Sequence, residues 1–312
     1  MAYIGIDLGG ISIAAALVSE QGEILSRRSC PTPKGPDSVA DAIAGHVKSL
    51  LEATHEPVPY IGIGSPGTID PESGVVEYWS NLDFRHVPLA EMIQERTGLP
   101  ALLENDANCA ALGEYVAGAG KGSKSLVVIT LGTGIGGGAV LDGKLCTGFN
   151  YAGLEVGHFV IRHGGRACTC GRAGCFETYC SATALIRQAG LAMEKDQSSL
   201  LWELAGKPES VNGKLVFDAL AQGDPAASEV VREFVDYLGC GVASLVNILR
   251  PEVFAIGGGI AGAGEVLLGP VRAILDREDY ARHNKARTRL VKAQLGNDAG
   301  IIGAALLGNF RR

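Results

Sequence analysis

Over the first thirty positions, apolar residues come in short runs broken by glycine and polar clusters. YIGIDL, Tyr3 to Leu8, predicts a strand ending in the glycine turn Gly9–Gly10; ISIAAALV predicts a second strand, and EILSRRS a third beyond the polar turn Ser19–Gly22. The same layout recurs in SLVVITLGTGIGGGAVLDGKLC, Ser125 to Cys146, where an apolar strand enters a glycine-rich turn, leaves as a second strand and reaches a hairpin at Asp142 and Gly143. We read this as a duplication of one supersecondary unit. Helical periodicity covers Asp37–Thr54, Ala107–Val116, Ala226–Leu249 and Ala299–Phe310, and short β-rich runs cover Tyr60–Gly64, Ala101–Glu104 and Val253–Ile256. Strands thus alternate with helices, which predicts an α/β architecture with hairpin strands beside parallel ones in each half. No Pro-rich or Ser-rich linker separates the halves, so the boundary near residue 115 follows from the duplication alone, and the last helix is free to pack back on the first half.

Length and composition narrow the classes. The 312 residues suit two domains, and 46% hydrophobic with 20% charged residues can bury a sizeable core. A net charge of −7, with Lys and Arg scattered except for a modest cluster from Arg282 to Lys292, argues against a nucleic-acid partner. The chain opens directly on the strand-like MAYIGI, and no stretch reaches the roughly 18 consecutive apolar residues of a membrane span, so secretion and membrane insertion are not expected and a cytoplasmic location is. Eight cysteines in such a chain read as reduced thiols or metal ligands.

Two glycine turns point to phosphate. Gly9 and Gly10, straight after a strand, let backbone N–H groups approach an anion without a Cβ in the way, and Gly132, Gly134, Gly136 and Gly137 do the same in the second copy. One such turn alone is as well explained by a tight hairpin, whereas two copies suit a clamp on a polyphosphate. Asp7, ending the first strand, is placed to orient a magnesium ion or its waters. A third cluster, Gly257, Gly258 and Gly259, follows a strand and suits the base or ribose of a nucleotide. Neither the dinucleotide fingerprint with its later acidic residue nor a loop ending in Gly-Lys-Ser/Thr is present.

Cys168, Cys170 and Cys175 set three soft ligands within eight residues, with His158 ten residues before the first and His163 between. Three thiolates and one imidazole make a closed tetrahedral zinc site, and Gly171 and Gly174 permit its tight turns; spacing alone leaves both histidines open as the fourth ligand. Cys30, Cys109, Cys146, Cys180 and Cys240 stand singly and suit ordinary packing. Asp106 follows the strand ALLE and precedes a helix, a position for a helix N-cap and equally for a carboxylate that accepts a proton in phosphoryl transfer. In GIGSPGTID, Gly62 to Asp70, Gly67 either lets backbone approach a sugar or simply forms a turn with Pro66.

Six motifs in order, DLGG at Asp7–Gly10, END at Glu104–Asp106, LGTGIGGG at Leu131–Gly138, EVGH at Glu155–His158, CTCGRAGCFE at Cys168–Glu177 and GGGI at Gly257–Ile260, resemble the sugar kinases of the repressor, open reading frame, kinase (ROK) family over nearly the whole chain. The resemblance implies a two-domain actin-like ATPase fold, as in sugar kinases, Hsp70 and actin, with the ligand cleft between domains. Residues 1–115 would form a small α/β domain, with the C-terminal helix 298–312 packing back on it, and 116–297 a large α/β domain with a zinc-binding insertion. It implies ATP and Mg²⁺ at Asp7, Gly9, Gly10, Ser12, Gly132, Thr133, Gly134, Gly257, Gly258 and Gly259, and a structural Zn²⁺ on His158, Cys168, Cys170 and Cys175. Sugar contacts would fall to Gly67, Asn81, Asn105, Asp106, Glu155, His158 and Glu177, with Asp106 as catalytic base. Taken locally, Glu155 and Glu177 are also ordinary loop charges and Asn81 an ordinary turn residue. His158 would hold zinc on one ring nitrogen and meet a hydroxyl with the other.

The expected reaction transfers the terminal phosphate of ATP to the C6 hydroxyl of glucose, in a homodimer. Two departures from the family pattern bear on this. Ile11 stands where the family usually has Thr after DLGG, which removes one phosphate hydrogen bond and suggests a non-catalytic sugar-binding protein as one alternative. Tyr151 and Leu154 stand where Gly is common before EVGH, which would reshape the sugar pocket and suggests N-acetylmannosamine or another hexose as substrate. Repressors of the family carry a helix-turn-helix ahead of the first strand, where this sequence has only Met1 and Ala2.

Overall fold

A computed structural model describes residues 1–310 and divides into two compact units. The first holds Met1–Val128, Gly137–Leu154 and the described residues from Ala293; the second holds Ile129–Gly136 and Glu155–Lys292.

In the first unit, β1 (Ala2–Leu8), β2 (Ser12–Ser19) and β3 (Ile24–Pro31) form an antiparallel meander. The helix α1 (Pro36–Leu51) follows, then β4 (Ile61–Ser65), β5 (Thr68–Asp70), β6 (Val75–Trp79), β7 (Phe84–Val87), α2 (Leu89–Thr97), β8 (Ala101–Asn105) and α3 (Asp106–Ala117). Strand β4 pairs in parallel with both β1 and β8, giving the order β3-β2-β1-β4-β8, while β5-β6-β7 make a small antiparallel sheet. Alternation along β1 decides its two faces. Ile4, Ile6 and Leu8 enter a core with Val39, Ile43 and Val47 of α1, whereas Tyr3, Gly5 and Asp7 turn the other way.

The strands β9 (Leu126–Leu131) and β10 (Ile135–Leu141) contribute residues to both units, and β11 (Lys144–Leu145) completes a hairpin with β10. The second unit continues through α4 (Glu177–Cys180), α5 (Ala182–Lys195), α6 (Leu200–Ala205), α7 (Gly213–Ala221), α8 (Pro225–Leu249), β12 (Val253–Gly257), α9 (Glu265–Glu278) and β13 (Arg289–Lys292). The order of the sheet these strands form, β11-β10-β9-β12-β13, repeats the order of the first sheet strand for strand, which is the duplication expected from the glycine-turn repeat. Helix α8 starts on Asp224, whose carboxylate accepts from the Ala227 N–H at 2.7 Å, with Pro225 in the first turn.

The last helix, α10 (Ala299–Ala305), lies on the first unit through glycines. Gly5 and Gly62 are paired neighbours on β1 and β4. A Cβ at Gly5 would come within 2.0 Å of the Ile301 carbonyl, and one at Gly62 within 1.7 Å of the Ala304 carbonyl. Gly113 of α3 and Gly303 of α10 make equally close approaches, to Ala299 and Cys109 backbone. At these points the helix rests on bare backbone, and beside them its Ile301, Ile302 and Ala305 pack against Tyr3, Ala16 and Val18. It stops short of the Phe310 expected from periodicity, because the Tyr60 hydroxyl donates to the Ala305 carbonyl at 2.8 Å and accepts from the Gly308 N–H at 3.0 Å, turning the chain into a 3₁₀ turn at Leu307–Asn309.

Candidate active site

In the first unit, the α10-facing side of β1 carries Asp7 to the N-terminus of α10, where its carboxylate lies about 3.5 Å from where a Gly300 Cβ would be. Gly64 pairs with Asp7 across the sheet and, lacking a side chain, leaves room beside the Asp106 backbone. The charge of Asp106 reaches Asp7. Burial, and then the charge of Asp106, pushes the Asp7 carboxyl up to about 6, with Arg27 pulling the other way. Burial also raises the Asp106 carboxyl, against the backbone N–H groups of Ala107 and of Asp106 itself, which stabilise its charge.

The N-cap of α3 is Asn105, not Asp106. The Asn105 side-chain oxygen accepts from the N–H groups of Ala107 at 2.9 Å and Asn108 at 3.2 Å, and Asp106 occupies the first helical position. The same Asn105 donates through Nδ2 to the Gly67 carbonyl at 3.4 Å, so two of the expected sugar contacts are joined. Gly67 has φ 93°, and a Cβ there would come within 2.3 Å of the Tyr78 carbonyl. Asn81, on a 3₁₀ turn after β6, lies 3.4 Å from where a Gly10 Cβ would be. The turn Gly9–Ser12 closes with the Gly9 N–H donating to the Ser12 carbonyl at 3.0 Å, and Ile11 is 89% exposed at its tip. Two supporting residues were missed in the sequence. Thr32 donates its hydroxyl to the Gly9 carbonyl at 2.6 Å, and buried Glu104 accepts from the Asn105 N–H at 2.9 Å and the Asn108 side chain at 3.0 Å. Glu104 stood within the END motif; nothing in the sequence marked Thr32.

In the second unit, the turn between β9 and β10 is closed by the Gly132 N–H on the Gly134 carbonyl at 3.0 Å, leaving Thr133 exposed. The Ala182 N–H at the start of α5 donates to the Gly132 carbonyl at 2.8 Å. Gly258, with φ 84°, runs so close to Leu131 that a Cβ would come within 2.4 Å of its carbonyl, so the third glycine cluster adjoins the strand that leads into Gly132. Gly257 ends β12, and Gly259 opens a 3₁₀ turn through Ala263.

The ligand atoms of His158, Cys168, Cys170 and Cys175 all lie within 4.8 Å of one another, and His163 is not among them. His158 Nδ1 is 3.6 Å from Cys168 Sγ, and Cys170 Sγ is 3.7 Å from Cys175 Sγ. Tetrahedral zinc, with Zn–S near 2.3 Å and Zn–N near 2.0 Å, requires edges of about 3.5 to 3.8 Å, so the donors fit the ion. Burial pushes Cys168 up to about 12 and raises Cys175, so a cation is what would ionise them, releasing protons as it binds. The knuckle is anchored from below: Phe159 stacks on Phe176 at 5.0 Å, and Phe176 packs where Gly241 of α8 has no side chain. His158 is fixed by Gly157, whose bare backbone sits against the Ile135 carbonyl.

Glu177 joins the two parts of this unit. One carboxylate oxygen lies 2.6 Å from where a Gly134 Cβ would be, and the other is 3.1 Å from Cys168 Sγ and 3.6 Å from His158 Nδ1. Beside it, Thr133, Gly134, Ser181, Thr183 and Arg187 line a cavity of about 350 Å³. Glu155 begins the 3₁₀ turn Val156–His158, and its side chain is exposed.

The profile of the ROK family matches residues 3–309. The chain belongs to the ROK family. Its fold is accordingly the actin-like ATPase fold of ROK sugar kinases, in the mixed α/β form with repeated sheet order described above. A glucokinase from Thermotoga maritima is 44% identical over 307 residues, covering 97% of this chain and 95% of the relative. The crystal structure of a ROK glucokinase from Streptomyces griseus in complex with glucose and AMPPNP is similar at a TM-score of 0.82 and 38% identity, covering 98% of this chain and 99% of the other. A ROK hexokinase from Thermus thermophilus is similar at a TM-score of 0.85 and 37% identity, covering 98% and 97%.

Proposed function

We propose that this ROK protein is an ATP-dependent glucose kinase in which Asp106 is the general base. The observation that carries the reading is the near full-length likeness to glucokinases, one of them solved with glucose and AMPPNP. In the reaction, the C6 hydroxyl oxygen attacks the terminal phosphorus of ATP, the bond to the bridging oxygen breaks, ADP leaves, and the hydroxyl proton passes to the Asp106 carboxylate. A raised pKa suits that task, since a carboxylate that binds its proton more firmly accepts it more readily. Because Asn105 caps α3, the Asp106 carboxylate need not serve as the cap.

The other residues take supporting parts. Backbone N–H groups at Gly10 and Ser12, and at Thr133 and Gly134, would hold phosphate, in turns that the Gly9 and Gly132 N–H groups close on the Ser12 and Gly134 carbonyls, and Gly257, Gly258 and Gly259 would take the nucleoside end. Gly67, Asn81, Asn105, Glu155, His158 and Glu177 would bind the sugar. Asp7, a desolvated carboxylate with a raised pKa, suits a magnesium ion or its waters, which would neutralise phosphate charge. Zinc on His158, Cys168, Cys170 and Cys175 would be structural: with Nδ1 turned to the thiols, Nε2 is the nitrogen left for a sugar hydroxyl. The same proposal includes a homodimer in the cytoplasm, where ATP is made available. No described helix is long and apolar enough to cross a membrane.

The test is coupled ADP release with glucose, mannose, N-acetylmannosamine and N-acetylglucosamine. Glucose should give the highest kcat/KM, and Asp106→Ala should lose about 10²- to 10⁴-fold in kcat while still binding sugar. Undiminished turnover would refute the base, preference for N-acetylmannosamine would replace the substrate, and sugar binding without transfer would make the protein a non-catalytic binder.

A further inference from the structure

Among the described residues, non-glycine side chains sit at positive φ at Asp83, His86, Asp142, Tyr151, Leu154 and Arg250. Two of these, Tyr151 and Leu154, both at φ 61°, fall within four residues of one loop. Neither side chain can hydrogen-bond its own backbone to ease the left-handed conformation, as Asp can, so the surroundings must hold it. The structure shows how. The loop Thr147–Leu154 is closed at its base by the Gly153 N–H donating to the Thr147 carbonyl at 2.8 Å, with Gly148 and Gly153 so close that a Cβ on Gly153 would lie within 2.9 Å of Gly148 and Thr147 backbone. At Tyr151, the phenol hydroxyl donates to the Glu72 carboxylate, on the turn between β5 and β6. The chain leaves this loop at Leu154 directly into Glu155 and the Val156–His158 turn, two of whose side chains are proposed sugar ligands.

We infer that Tyr151 is a positioning residue, whose hydrogen bond to Glu72 holds the Thr147–Leu154 loop in the left-handed conformation from which Glu155 and His158 are presented to sugar. The inference rests on the proposed sugar kinase activity. Both partners are partly open to solvent, so the bond adds little to global stability, and its effect falls on the loop and on sugar affinity.

Steady-state kinetics with glucose and ATP varied in turn should show Tyr151→Phe raising the glucose KM by about 3- to 10-fold, the worth of one hydrogen bond, with kcat and the ATP KM within about twofold. Glu72→Ala should match it, Glu72→Gln, which keeps an acceptor oxygen, should restore most of the loss, and the double variant should be no worse than either single one. Hydrogen–deuterium exchange without substrates should be faster at Gly148–Leu154 in Tyr151→Phe and Glu72→Ala, with unchanged melting temperatures. An unaltered glucose KM in a variant whose loop exchanges faster, or additive effects of the two changes, overturns the inference. If the unaltered protein turns over no sugar, the kinase reading fails and the inference with it. If the unaltered protein is active but exchange is unchanged, only the tether is wrong.

Discussion

Asn105 and Asp106 divide two duties that compete for one side chain. A carboxylate committed to capping α3 would have its oxygens occupied by backbone N–H groups; with Asn105 as the cap, Asp106 is left bonded only to Ala107, at 2.8 Å, and to its own N–H. The local sequence allowed either role for Asp106, and only the helix's entry geometry separates them. Asp7 yields a pH prediction. Its folded pKa of about 6 lies above the ordinary 3.8, so between those values the folded protein holds a proton that the unfolded chain releases. The stability this proton carries is complete below about pH 4 and is lost as pH rises through about 6, on the order of 3 kcal/mol. In magnesium-free urea titrations, Asp7→Asn should therefore show a shallower decline from pH 4 to 7 than the unaltered protein, with the raised Asp106 carboxyl keeping its own share; parallel curves would rule Asp7 out as a source. The metal site gives a second test at this scale. Elemental analysis should find one zinc per chain, lost in His158→Ala and kept in His163→Ala, since His158 Nδ1 faces the thiols and His163 does not.

Among the elements, those written as a repeat, a continuous apolar run or a long apolar stripe were the most legible, and the short runs Tyr60–Gly64, Ala101–Glu104 and Val253–Ile256 are found as β4, β8 and β12. The glycine-turn repeat predicted both meanders, and the apolar stripe of α8 placed that helix to within a residue. The β5-β6-β7 sheet went unread because its strands TID, VVEYW and FRHV mix polar and charged residues into short runs, and their pairing is a property of the sheet. Helix α9 was hidden by Pro270 in its interior, and β13 by the charged residues Arg289 and Lys292 at its ends. The seat of α10 makes the sharpest prediction. Gly62→Ala would put a Cβ 1.7 Å from the Ala304 carbonyl, which backbone cannot easily yield, and should cost about 3 kcal/mol in urea unfolding. Gly45→Ala, on the exposed side of α1 with nothing within 4 Å, should instead be neutral or stabilise by up to about 1 kcal/mol. Equal effects at the two sites would mean that the glycine seat is not tightly packed.

For the whole molecule, a ligand that binds only the folded chain must stabilise it. At a hundred times its Kd, glucose should add about 2.7 kcal/mol and raise Tm by a few degrees, and Asp106→Ala should keep that rise while losing turnover. No rise with any of the four sugars would sink the sugar-binding reading. By itself, the sequence determined what is carried by local pattern and by residue type: the strand-turn-strand repeat, the glycine turns, the cysteine spacing and the family, because each is written within a few consecutive residues. Only the tertiary structure decided which side chain caps α3, brought His158 rather than His163 to the thiols, let the charge of Asp106 reach Asp7, set α10 against Gly5 and Gly62, and joined Tyr151 to Glu72. Each of these depends on a distance between residues far apart in the chain, and such distances follow from packing.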